Sequence, residues 1–86
     1  MTRESLHQNL EALREQLQHA HDLDAATRRE LTEIAETIDE VLEAENPDYQ
    51  SAQQRIEDAA LEFEARHPTF AGILSEVTDA LAKLGF

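Results

Sequence analysis

Apolar residues recur every three or four positions along nearly all of this 86-residue chain, and only two prolines, Pro47 and Pro68, interrupt them. At ~100° per residue that spacing puts the apolar side chains on one face of an α-helix. Composition points the same way. Two glycines and 5% aromatic residues leave little for strands and tight turns, while Ala and Leu are plentiful. The expected fold class is all-α: an antiparallel bundle of three long helices and a shorter C-terminal one. Residues 1–86 are expected to form one helical domain, because a chain this short lacks the core for two. No fixed period survives comparison of the segments, which argues against a solenoid.

The first predicted helix runs over residues 3–21. Leu6, Leu10, Leu13, Leu17 and Ala20 alternate four- and three-residue steps and stay within ~80° of arc, a narrow seam for mainly one neighbour. Thr2 is its expected N-cap. The second helix, 25–44, follows Asp24, whose carboxylate suits the free amides of a first turn. Its face of Leu31, Ile34, Ala35, Ile38, Val41 and Leu42 is wider and suits two neighbours. Glu45 to Asp48 is the clearest turn, because Pro47 cannot extend a helix and biases Asn46 away from helical geometry.

The third helix, 48–67, presents Tyr49, Ala52, Ile56, Ala59, Ala60 and Phe63. His67, Pro68 and Thr69 then form a structural turn, with Thr69 expected to cap a fourth helix over 70–84. One long kinked helix in place of the third and fourth is the alternative. Gly85 suits the left-handed residue that closes a helix, with Phe86 folding back on the last turn.

Nineteen acids face seven lysines and arginines, giving a net charge of −12. Residues 23–48 hold nine of those acids and two of the arginines. Glu33, Glu36, Glu40 and Glu43 repeat at helical spacing opposite the apolar face, and they predict a carboxylate stripe on the solvent side. Such a stripe serves either solubility or docking of a basic protein partner. Charge of this sign repels phosphates and anionic headgroups, so neither direct nucleic-acid binding nor membrane binding is expected. The one adjacent basic pair, Arg28 and Arg29, lies beside Asp24 and Glu30.

The fourth helix is nearly uncharged. Ala71, Ser75, Thr78 and Ala82, with Gly72 alongside, form a row of small residues that lets another helix come close. That helix is read either as central to the chain's own bundle or as the seam of a dimer. Roughly twenty large apolar residues make a marginal core, so a homodimer is expected. Leu61 stands off its own apolar face among Gln50, Gln54 and Glu57.

No residue set promises chemistry. Without cysteine there is no disulfide, thiolate nucleophile or zinc-thiolate site. Glu15 and His19 are i,i+4 neighbours, but His21 points ~200° away from His19 on a continuous helix, so no metal site is expected. There is no glycine-rich phosphate loop, nucleophile elbow or H-E-x-x-H. Neither an enzyme nor a cofactor is expected. The opening residues lack the apolar core of a signal peptide and no ~20-residue apolar run exists, which predicts a cytoplasmic location.

The stretch from Phe63 through His67-Pro68-Thr69-Phe70 to Leu74, followed by Asp79 to Phe86, resembles the family called domain of unknown function 4404. The leucine-rich opening, Leu6 to Leu13, resembles that family's start. The resemblance implies a bacterial cytosolic helical protein and carries no activity and no catalytic positions. The expected function is a non-enzymatic protein-protein interaction module, using the acidic stripe or the small-residue row. The alternative is an acidic mimic of nucleic acid that occupies a DNA- or RNA-binding protein.

Overall fold

The computed structural model describes residues 2–85. It folds into four helices: α1 (Thr2–His19), α2 (Ala25–Glu43), α3 (Tyr49–Phe63) and α4 (Pro68–Leu84). No strand occurs among the described residues. The helices form a ring in which α1 meets α2 and α4, and α3 meets α2 and α4, with no close backbone approach across either diagonal. Connections of only four or five residues make each successive pair antiparallel. Each helix turns one apolar face inward.

The buried residues of α1, α2 and α3 lie on the predicted faces, but α1, expected to meet mainly one neighbour, meets both α2 and α4. Leu6, Leu10, Leu13 and Leu17 of α1 are buried, as are Leu31, Ile34, Ala35, Ile38 and Val41 of α2. Ala52, Ile56, Ala59 and Phe63 of α3 meet Phe70, Ala71, Leu74, Val77, Ala80 and Leu81 of α4 in the same core. The α3–α4 contact is the most extensive and the α2–α3 contact the sparsest. Small residues on both sides of that seam, Ala60 on α3 and Ala71 on α4, leave room for the two helices to pack closely.

Helix ends depart from the sequence reading in instructive ways. Asp24 caps α2 as expected, its Oδ1 accepting the Thr27 amide at 2.8 Å. Asp48 does the same for α3, accepting the Ser51 amide at 3.1 Å and its hydroxyl at 2.7 Å. Thr2 is the first described residue of α1 and not its cap. Helix α1 ends at His19, short of residue 21, and α2 ends at Glu43. Neither has a glycine to close it. An arginine from outside does that work. Arg28, one turn into α2, donates to Leu17 O at 2.8 Å and Ala20 O at 2.6 Å. Arg3, at the start of α1, donates to Leu42 O at the end of α2. Each guanidinium supplies donors to carbonyls that the helix itself leaves open.

Helices α3 and α4 are two helices, not one kinked rod. α3 ends at Phe63, before the expected residue 67, and α4 starts at Pro68, before the expected residue 70. Thr69 is therefore inside α4. The cap position belongs to His67, with φ −139° and ψ 73° and no side-chain cap hydrogen bond. Proline at the first helical position explains this, because its missing N–H needs no cap and its ring pre-sets φ. The His67 ring packs edge-on between Phe63 and Phe70, with centroids 5.9 Å and 6.3 Å away. The C-terminal helix, at 17 residues, is longer than α3 at 15, so the shorter helix is the third.

Gly85 is not left-handed; its φ is −77° and ψ −5°. A Cβ there would crowd Leu81 O of its own helix at 3.3 Å and touch Tyr49 Cβ at an ordinary 3.4 Å. The expectation for Phe86 lies outside the described residues. Gly72 is the opposite case: a Cβ there would meet nothing within 4 Å. Glycine inside a helix costs about 0.5–1 kcal/mol relative to alanine through backbone entropy. Gly72→Ala is therefore expected to raise unfolding free energy by about that amount in urea titration. Arg28→Ala should lower it by roughly 1–3 kcal/mol, the loss of two charge-assisted bonds at the end of α1.

Candidate functional site: the grooves beside α3

The four stripe glutamates do not share one environment. All are exposed. Glu33 lines the groove between α2 and α3, where its Oε2 lies 3.7 Å from an Arg55 nitrogen. Glu40 lines the next stretch of the same groove, beside Ser51, Ala52 and Arg55. Glu36 and Glu43 line neither stretch. The row lies on the solvent side, and one member of it, Glu33, also faces a cation on α3. The side chain of Arg55, one residue before the buried Ile56, reaches across to α2 from a position whose i,i+3 and i,i+4 pattern belongs to α3, so helical spacing within α2 could not foresee it.

A carboxyl pair in this groove was also hidden from the sequence. Glu30, half-buried on α2, is held above the ordinary carboxylate range, first by burial and then by the charge and hydrogen bond of Glu62 on α3. Glu33 adds to the rise and Arg55 opposes it. The ionised form of Glu30 therefore works against folding, and that penalty is full above its folded pKa, falls between the folded and unfolded values, and vanishes below the unfolded one. Glu30→Gln is expected to stabilise the protein by roughly 0.2–1 kcal/mol at pH 7 and by nothing at pH 3–4, read from thermal unfolding across that range. Asp24 shifts the other way, its carboxyl held down by the hydroxyl and amide of Thr27 that it caps.

The small-residue row lies along the seam of α3 and α4. Ala71 is buried there, Thr78 and Ala82 are half-buried, and Ser75 and Gly72 are exposed. The Thr78 hydroxyl turns back to donate to Leu74 O at 2.9 Å. Toward the Pro68 end, Ala60, Ala71, Gly72 and Ser75 line an open groove of about 470 Å³. Leu61 stands on its edge, 65% exposed, where large apolar side chains are otherwise buried or half-buried among the described residues. Ala82 lies in a second hollow near Tyr49 and Gln53. Helix α4 thus packs centrally, against both α1 and α3, and what the row leaves outward is the strip around Gly72 and Ser75.

Of the turn residues, His67 packs between two phenylalanines, Pro68 opens α4, and Thr69 lies exposed in its first turn. His19 closes α1 and His21 lies in the connection after it, both exposed. Among the described residues no three His, Asp or Glu side chains gather to hold a metal ion. No helix among them is long and apolar enough to cross a membrane.

Together these features define a small antiparallel four-helix bundle in which, among the described residues, Leu61 beside the α3–α4 groove is the one large apolar side chain left exposed. The chain belongs to the family described as Domain of unknown function (DUF4404), whose model matches residues 6–86. No curated protein and no solved structure matches it.

Proposed function

We propose that the protein is a non-enzymatic interaction module that receives a helix of another chain in the groove between α3 and α4. The observation that carries this reading is Leu61, 65% exposed on the rim of a groove floored by alanine, glycine and serine. A projecting leucine beside small residues offers both a knob and a hole to a third helix. Gly72 strengthens the reading. Nothing within the chain approaches its open side, so its helix-weakening effect serves no contact within the fold.

The acidic stripe is the weaker docking surface. Glu33 already faces Arg55, which offsets charge in one member of a row that a mimic of nucleic acid needs evenly charged.

Capture from a lysate of the source organism separates the two surfaces. A partner held by the parent and by the variant with Gln at 33, 36, 40 and 43 should be lost with Gly72→Leu, which fills the groove, and with Leu61→Glu. Loss with the four-Gln variant and retention with Gly72→Leu would move the site to α2.

A further inference from the structure

The groove between α3 and α4 has a charged rim as well as an apolar floor. Glu57 and Glu64 stand on its α3 side and Asp79 on its α4 side. All three are exposed, and none forms an ion pair among the described residues. We propose that the occupant of this groove is an amphipathic helix of another protein, whose apolar stripe covers Leu61 and Gly72 and whose flanking lysines or arginines meet Glu57, Glu64 and Asp79. The proposal rests on reading the groove as a docking surface and adds the chemistry of what docks.

Charge selects this occupant over a second copy of the chain. A copy carries a net charge of −12 and would bring its own three rim carboxylates to the same seam. Like charges facing each other across an interface cost affinity, whereas a basic flank is drawn in and oriented. The need that favours dimers of short chains is also met internally. Leu6, Leu13, Leu31, Ile38, Ile56, Leu74 and the rest of the core are covered within one chain. The steric side agrees, since the open side of Gly72 lets a helix axis come within the ~8–10 Å of ordinary helix packing.

The probe is a fluorescein-labelled peptide of ~18 residues with a leucine stripe at helical spacing and lysine elsewhere, set against a peptide with the same stripe and glutamate for lysine. Binding is read by anisotropy at ~0.05 and ~0.5 M salt. Four proteins are compared: the parent, Gly72→Leu, a rim variant (Glu57→Gln, Glu64→Gln, Asp79→Asn), and an α2 variant (Glu36→Gln, Glu43→Gln). The lysine peptide should bind the parent and the α2 variant alike. Its affinity should fall about tenfold or more in Gly72→Leu and in the rim variant, and fall with salt; the glutamate peptide should not bind.

Equal loss in the α2 and rim variants, with Gly72→Leu unchanged, would mean unspecific attraction and overturn both the proposal and the docking groove. Equal binding of both peptides, lost only in Gly72→Leu, would overturn the basic partner and keep the groove. A dimer in sedimentation that Gly72→Leu dissociates would make a second copy the occupant and overturn the proposal alone. A monomer that binds neither peptide overturns it as well. Circular dichroism and melting guard the Gly72→Leu result, and Leu61→Glu, a change at an exposed side chain, provides a second blocking variant.

Discussion

Closure of the ring depends on α4. The backbones of α1 and α3 lie on a diagonal and do not approach each other, so α4 covers the seams that each leaves facing inward on that side. It does so with the most apolar sequence of the four, burying Phe70, Leu74, Val77 and Leu81 among its six covered residues. Its direction is set within a few residues by the turn after α3. Pro68 fixes the first dihedral of α4, His67 is forced out of helical geometry, and the His67 ring wedged between Phe63 and Phe70 ties the two helices at that end. At the other end Gly85 lies beside Tyr49. The most extensive seam in the molecule is thus set at the turn by residues of fixed backbone geometry, with the apolar side chains filling what lies beyond it.

The sparsest seam, between α2 and α3, also has little electrostatic support. Helix α2 carries the concentration of acid, and α3 answers with Arg55 alone at mid-seam while also presenting Glu62 to Glu30. One exposed ion pair contributes little, roughly 0–1 kcal/mol, and the carboxyl pair subtracts from it. What holds α2 in place is therefore mainly its buried face and the reciprocal arginine bonds with α1. Arg28 and Arg3 each reach to the C-terminal carbonyls of the other's helix, so the α1–α2 hairpin is fastened at both ends.

Much of this was legible in the sequence, and the legible part has one physical character. The buried faces of all four helices follow from spacing alone, because burial is a property of a helix's own periodicity. Asp24 as a cap follows from local chemistry. What escaped were features that join residues far apart: Arg28 on the end of α1, Arg55 facing Glu33, and the Glu30–Glu62 pair. The absence of glycine after His19 and after Glu43 was the available signal that some other donor must close those helices. At the α3–α4 turn the misreading was of another kind. Thr69 is a good cap by composition, but a proline one position earlier has its φ preset for the first helical position, and the helix begins there.

The groove shows why a stable bundle can carry an inefficient residue at its surface. Alanine at position 72 would meet no neighbour and would lower the backbone entropy of the unfolded chain. Filling the row with larger side chains would also cover Ala60 and Ala71 and bring the floor level with Leu61. The α3–α4 seam already has small residues at Ala60 and Ala71, of which Ala71 is buried. Gly72 and Ser75 extend that smallness to the outer side, where the fold gains nothing from it. A surface kept low beside one projecting leucine and rimmed by exposed carboxylates lies outside the chain's own packing, which stops one residue short of it, at Ala71.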